Sequence, residues 1–234
     1  MGHAEAIAFP MMIHVPPRRA SFLVASLCSA FVVAACGVGR AESALAAFGA
    51  AVDALRDYTV TIAIHETDGG RTQDRAVRYW YKKPTTAKVE VISGAGRGSV
   101  AVWRGGDSVR GHQGGFLSMI KLTVGIHDPR AVSLRGDTID SAYFGNILDR
   151  FKTTKGELSE APGPAIAGVP TEKITLIAAD PSANQRISRD VVYLSRVTHL
   201  PVKRERFEGD ALVKSQFFSN LKLDANLTDQ DFAL

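Results

Sequence analysis

The chain has 234 residues and a formal net charge of +4, with 45% hydrophobic and 22% charged residues. This composition is typical of one globular domain, and so weak a charge excess does not favour nucleic acid as a partner. Both cysteines, Cys28 and Cys36, lie near the N-terminus. The rest of the chain therefore has no disulfide, no thiol nucleophile and no cysteine metal site.

The N-terminal stretch has the pattern of a secretory signal peptide. Arg18 and Arg19 precede an uncharged apolar run from Phe22 to Ala35. A positively charged region followed by an apolar region is the arrangement found in such signals. The run is shorter than the ~20 residues of a membrane-spanning helix. We predict that residues 1–35 are removed on export. The arginine pair also allows a twin-arginine export route, but this is the lesser alternative, because the residues after the pair are one position out of register with that motif.

The segment Val33-Ala34-Ala35-Cys36-Gly37 ends this apolar run. It resembles the lipobox of bacterial lipoproteins, in which two small residues precede a cysteine that becomes acylated. Acyl chains anchor a protein at ~0.8 kcal/mol per buried methylene. We therefore predict lipidation and a membrane anchor at Cys36, followed by a short linker over residues 36–40; the alternative is an ordinary signal cleaved after Ala41.

The remainder, residues 41–234, is predicted to begin with a helix and continue as a series of strands. Ala41 to Tyr58 carries apolar residues at helical spacing, and Tyr58 to His65 alternates strictly between apolar and polar residues. Short alternating strands separated by Gly- and Pro-containing turns then continue to His112, which predicts a β-meander.

An apolar stretch, Phe116 to Val124, follows the meander and contains one charge. Periodicity does not distinguish a short helix from a strand here. We consider two interpretations: a piece of the core, or a movable flap over an apolar cavity.

The C-terminal half is predicted to contain a second helix and four more strands. The helix begins at Asp137 with an acidic first turn and runs to about Lys152. Gly156 to Pro164 is rich in Pro, Gly and acidic residues, and is predicted to be a loop. The predicted strands are Glu172 to Ala178, Arg189 to Ser195, Pro201 to Phe207 and Leu212 to Leu223.

The sequence contains no recognisable catalytic or metal-binding constellation. The histidines of residues 41–234 are scattered, whereas metal sites need three or four convergent donors. The stretch Gly94 to Gly98 lacks the Lys-Ser/Thr of a phosphate loop and lies between two strands, so we interpret it as a hairpin. We predict no metal, no cofactor and no enzymatic activity.

The order of these elements resembles the lipoprotein-carrier (LolA-like) superfamily. Trp80 to Val89 is similar to its aromatic-x-Lys-Pro strand pair, and Trp103 to Val109 to its Gly-containing hairpin. Asp137 to Leu148 and Val192 to Phe232 are similar to a bacterial envelope family of unknown function with this fold. The resemblance implies an α+β, mostly antiparallel fold: a curved incomplete barrel, or half-barrel, of about nine to eleven strands with helices covering its concave face.

This resemblance implies an exported, periplasm-facing protein that binds an acyl chain, lipid or lipidated peptide in an apolar groove. Burial of apolar surface would hold such a ligand, at ~25 cal/mol per Å². Two alternatives stay open: a groove filled by the protein's own side chains, and an envelope sensor or interaction module that binds a protein partner. The residues predicted to line the groove are Tyr79, Val89, Val91, Val102, Phe116, Met119, Ile120, Tyr143 and Phe217.

Overall fold

The computed structural model describes residues 43–234. The predicted signal, the linker and Cys36 lie outside the described residues. The helices and strands are α1 (Ala44–Ala54), β1 (Asp57–Asp68), β2 (Arg71–Lys82), β3 (Thr86–Gly94), β4 (Val100–Trp103), β5 (Ser108–His112), β6 (Leu122–Gly125), α2 (Phe144–Thr153), β7 (Gly156–Pro162), β8 (Thr171–Ala178), β9 (Arg189–Ser195), β10 (Pro201–Glu208) and β11 (Ala211–Leu223).

All eleven strands form one antiparallel sheet that curls but does not close. The strand order is β6-β5-β4-β3-β2-β1-β11-β10-β9-β8-β7. β1 and β11, the first and last strands along the chain, pair with each other at the centre of the sheet. One meander therefore extends outward from each of them. This confirms the predicted α+β half-barrel and its number of strands. Neither helix of the described range has the length and apolar character needed to cross a bilayer.

The central strands show the predicted alternation. Tyr58, Val60 and Ile62 of β1 are at most 1% exposed, and Tyr79 and Tyr81 of the neighbouring β2 are buried on the same face. This face is the concave one, since both helices pack against it. Alternation with a period of two therefore identified the inward face of these strands.

The first helix ends earlier than predicted, at Ala54, because Asp57 already pairs with Lys82 of β2. At its start Ser43 accepts a hydrogen bond from the N–H of Ala46 at 3.1 Å, as N-cap serines do. Glu160 of β7 accepts from the N–H of Ala44 at 2.8 Å. The helix start is thus attached to an edge strand of the sheet.

The predicted second helix is divided in two. A 3-10 helix, Ile139–Ala142, is separated from α2 by the extended residue Tyr143, whose ring stacks on Tyr81 with centroids 4.8 Å apart. Phe144 then stacks on Tyr58 at 4.5 Å. The helix therefore fills the middle of the concave face with aromatic rings.

The segment predicted as a loop, Gly156 to Pro164, is a strand over most of its length. β7 pairs with β8 through seven residues, although every one of its side chains is exposed. Backbone hydrogen bonds hold this edge strand, and it has no apolar face that could produce a hydrophobic alternation.

The stretch from Phe116 to Val124, for which periodicity left both a helix and a strand open, contains one of each. A 3-10 helix, Gly115–Met119, precedes the edge strand β6. Phe116 and Met119 are 91% and 89% exposed. The interpretation of the whole stretch as a piece of the core is therefore wrong.

The convex face carries a second, smaller cluster. Phe232 and Leu227 of the C-terminal segment pack on Val102 of β4, and Lys88 donates to the carbonyl oxygen of Asp231 at 2.9 Å. The end of the chain thus covers part of the outer surface of β2 to β4.

Candidate ligand-binding cavity

A cavity of about 670 Å³ lies on the concave face of β2 to β6, on the side that the helices leave uncovered. Its floor is a row of cross-strand partners: Val89 pairs with Ala101, Ala101 with Gly111, and Gly111 with Leu122. Cross-strand partners share a face of the sheet. All four residues therefore face the same space.

The middle of this row has small side chains, which leaves room over the floor. Gly111 has none, and a Cβ at that position would lie 2.3 Å from the carbonyl oxygen of Val100. Only glycine therefore fits there. With Ala101 beside it, two adjacent strands contribute almost no volume to a face that is filled elsewhere by tyrosine and phenylalanine.

The loop between β6 and the 3-10 helix Ile139–Ala142 forms the opposite wall. Arg130, Ala131 and Val132 line the cavity from this side. A smaller cavity of about 100 Å³ continues inward beneath the same loop, and Val89, Val91 and Arg75 line both. The two cavities are thus neighbours that share one wall.

A network of buried charges borders the smaller cavity, and Asp137 and Lys214 are among its lining residues. Lys214 donates to Glu66 and, at 2.5 Å, to Asp137, and Arg206 donates to both oxygens of Asp137 at 2.9 Å. Burial alone would raise the pKa of Asp137, but Lys214 and Arg206 outweigh it and the pKa is lowered. These two cations and two carboxylates balance one another.

A second buried pair adjoins the first. Arg204 donates to both oxygens of Asp190, at 2.9 and 2.5 Å. Burial opposes ionisation of Asp190, yet Arg204 lowers its pKa overall. Glu66, Asp137 and Asp190 each have a cation of their own. These groups therefore hold β9, β10 and β11 against the loop before α2 rather than offering free charge to a ligand.

Buried tyrosines of β1 and β2 serve as anchors for the helical segment. The hydroxyl of Tyr79 donates to the carbonyl oxygen of Ile139 at 3.0 Å, and that of Tyr58 accepts from the N–H of Phe144 at 3.1 Å. Burial raises the pKa of both, and raises that of Tyr81 to about 12. These hydroxyls are neutral over the physiological pH range.

Some of the predicted lining residues do meet at this space. Val89 and Val91 line both cavities, and Tyr79 lines the inner one. Tyr143 instead stacks on Tyr81. Phe116, Met119 and Ile120 project outward between Gly115 and Leu122, which line the cavity.

Two predicted lining residues lie on the wrong face. Val102 pairs with Lys88 and packs under the C-terminal segment, because Ala101 and Trp103 are the inward residues of β4. Phe217 is likewise on the convex side, while Phe218 packs in the core against Phe144. Both predictions assigned the inward face of a strand to the wrong set of alternating residues.

Several lining residues were missed by sequence reasoning. Some are small, some are polar residues that a hydrophobic pattern places in solvent, and the others are apolar residues of β6 and of the loop that follows it. The strict alternation of β2 that places Val77, Tyr79 and Tyr81 inward also places Gln73 and Arg75 there, and this was the available signal. The missed residues are Gln73, Arg75, Ala101, Gly111, Leu122, Val124, Arg130, Ala131 and Val132.

The fold and the cavity together define an α+β half-barrel with a ligand-sized space on its concave face. No protein-family model and no curated protein matches the sequence. The chain is similar in fold to a DUF1329 family protein from Desulfovibrio piger (14% identity, TM-score 0.42, covering 82% of this chain and 98% of that one). It is also similar to the LolA superfamily protein NE2245 from Nitrosomonas europaea (13%, 0.38, 83% and 99%) and to MucB in the MucA/MucB complex of Pseudomonas aeruginosa (14%, 0.47, 82% and 59%). The likeness concerns the course of the chain alone.

Proposed function

We propose that the protein is a non-catalytic binding protein of the bacterial cell envelope that holds an acyl chain, a lipid or a lipidated peptide. The observation that supports this most is the 670 Å³ cavity over an apolar floor. Small-molecule sites are mostly apolar clefts of about 300–1,000 Å³. Non-directional burial suits an acyl chain, which has no polar groups to match.

The proposed location rests on the N-terminal sequence. The predicted export signal and the predicted lipidation at Cys36 would bring the domain to the periplasmic side of a membrane. Phe116, Met119 and Ile120 are exposed beside the cavity, and we propose that they guide an acyl chain from its donor into the space behind Leu122.

Filling the cavity tests this function. We expect Ala101→Trp to place an indole in the space over the floor and to weaken uptake of a fluorescent long-chain alcohol at least tenfold. An uncharged probe reports on the apolar space alone. The measurement is a fluorescence titration, with the unfolding temperature recorded for each variant.

Arg110→Trp is the matched control, because Arg110 is exposed on the opposite face of the neighbouring strand β5. This variant should bind the alcohol as the unmodified protein does. Unchanged uptake by Ala101→Trp would show that the cavity is not the binding site. A protein that takes up no long-chain probe at all would overturn the proposed function.

A second candidate function is an envelope interaction module that binds a protein partner. The outer edge of β6 has no strand paired to it within the described residues, and the exposed Phe116 and Met119 lie next to it. A partner could add a strand to such an edge. Stoichiometric co-purification of a protein, with no lipid detected by native mass spectrometry, would favour this candidate.

A further inference from the structure

The charged residues that line the larger, 670 Å³ cavity are all of one sign. They are Arg75, Arg97 and Arg130, and no aspartate or glutamate of the described residues lies among them. In the smaller, adjoining cavity Asp137 and Lys214 are also lining residues, but they bond to each other at 2.5 Å. An apolar floor under basic groups is unsuited to a cationic ligand. It also differs from a purely apolar groove, which would gain nothing from buried arginine.

Arg75 has hydrogen-bonding capacity that the described protein does not satisfy. Its Nε is buried and has no partner, and its nearest carboxylate oxygen, on Glu66, is 3.9 Å from a terminal guanidinium nitrogen. That distance is too long for a hydrogen bond. A buried donor without a partner is destabilising, and a ligand that bonds to it would remove that cost.

The neighbouring carboxylate is already engaged. Glu66 accepts hydrogen bonds from Lys214, from the hydroxyl of Ser133 at 2.9 Å and from the N–H of Leu134 at 3.2 Å. Lys214 and Arg206 balance Glu66 and Asp137 in charge. The positive charge of Arg75 is therefore not neutralised by the network behind it.

Gln73 lies two residues before Arg75 on the same face of β2, and it also lines the cavity. Its Oε1 is buried without a partner. The side-chain amide has an acceptor and a two-proton donor at its tip, and a half-turn exchanges them. Gln73 and Arg75 can thus present adjacent N–H donors to one ligand group.

The other basic residues are placed differently. Arg130 forms a two-pronged pair with Asp128, at 2.9 and 2.7 Å, and this bond to Arg130 lowers the pKa of Asp128 to about 2. Arg97 is exposed at the tip of the β3–β4 loop. Arg75 is therefore the cation whose bonding capacity faces the interior of the cavity.

We propose that the ligand of this cavity is an acyl amphiphile with an acidic head group, whose carboxylate or phosphate oxygens are bound by Arg75 and Gln73. The guanidinium fork matches the oxygens of either group. The acyl chain would then lie over Val89, Ala101 and Gly111. This proposal rests on the proposed function and adds the chemistry of the head group to it.

The test compares three single-chain ligands of equal length: a fatty acid, an alkyl phosphate and a fatty alcohol. Each displaces the fluorescent alcohol from the complete protein. We expect the acid, the phosphate or both to bind about tenfold more tightly than the alcohol, which corresponds to about 1.4 kcal/mol. The two anionic ligands show which head group is preferred.

Arg75→Met should abolish that preference and leave the affinity for the alcohol within about twofold. Arg75→Lys keeps the charge without the fork and should give an intermediate preference. Arg130→Met is the matched control, since Asp128 already pairs with that arginine, and it should change the preference less than threefold.

Equal affinities of the unmodified protein for the alcohol and both anions would overturn this inference, whether or not the variants fold. A preference that persists in a folded Arg75→Met would also overturn it. In both cases binding of the alcohol would leave the proposed function standing. Failure of all three chains to bind would overturn the function itself, and this inference with it.

Discussion

Lys214 is the cation that pairs with two buried carboxylates, Glu66 and Asp137. Its ammonium group lies between Glu66 and Asp137, and all three side chains are at most 8% exposed. Such a group is costly to bury, and its removal leaves carboxylates in a low-dielectric interior without a counter-charge.

We expect Lys214→Met to destabilise the domain by about 3–5 kcal/mol, the usual cost of removing one partner of a buried pair. Urea unfolding measures the loss. Arg56→Met is the control, because Arg56 and Asp224 form an exposed pair at 3.0 Å that should contribute less than about 1 kcal/mol. Equal losses in the two variants would contradict a central role for Lys214.

For individual residues, the sequence patterns did not predict burial where polar side chains point inward. In β11 the inward placement predicted for Phe217 puts Lys214 and Gln216 on the opposite face, whereas both are at most 4% exposed. The alternation that buries Ile62 and Ile64 also turns Glu66 inward, so an inward acidic residue was readable. Its cation was not, because that partner is 148 residues away in the chain.

The C-terminal segment is the element with the clearest separate role. A 3-10 helix, Asp229–Phe232, starts with a capping box in which Thr228 and Asp231 bond reciprocally. Phe232 is 2% exposed and packs in the convex cluster with Val102. One aromatic ring thus holds the end of the chain on the outside of the sheet.

Phe232→Ala should cost about 3 kcal/mol, the lower end of the range for buried phenylalanine, and should detach the segment from β4. Thermal unfolding and proteolysis of the C-terminus would measure the two effects. Leu223→Ala, at a residue 40% exposed, should cost less than about 1 kcal/mol. Undiminished protection of the C-terminus in Phe232→Ala would contradict the anchoring role.

Elements with an apolar alternation were predicted well, and those held by other forces were not. Strands β8 to β11 were predicted to within about two residues. β7 was not predicted, since backbone pairing with β8 and the bonds of Glu160 to the start of α1 hold it, and neither produces an apolar alternation. The division at Tyr143 was missed because it depends on a ring stacking across the fold on Tyr81.

The whole domain should lose stability in acid. The pKa values of Asp137 and Asp190 are lowered in the fold, below the value of about 3.9 for unfolded aspartate. The unfolded chain therefore takes up protons first as the pH falls. Stability is fully present above about pH 5 and declines below it.

Urea midpoints measured from pH 7 to pH 3 should show this decline, and Asp137→Asn should flatten it. A midpoint independent of pH over this range would contradict the linkage. The aromatic anchors should not add to the effect, because the hydroxyls of Tyr58 and Tyr79 are neutral throughout it.

The overall architecture, including an unclosed sheet with helices on its concave face, could be predicted from the sequence. The extent to which the groove is open could not. It depends on Ala101 and Gly111 facing each other across two strands, and on α2 filling the space over Tyr58 but not over Val89. Both follow from register and packing, which no single segment encodes.

The hydrogen bonds of Glu160 to the start of α1 also determine where a tether would leave the domain. Cys36 precedes Ser43 by seven residues, about 25 Å of fully extended chain. If Cys36 is lipidated, its anchor is joined to the domain at the β7 edge, whereas the cavity belongs to the strands of the other edge of the sheet.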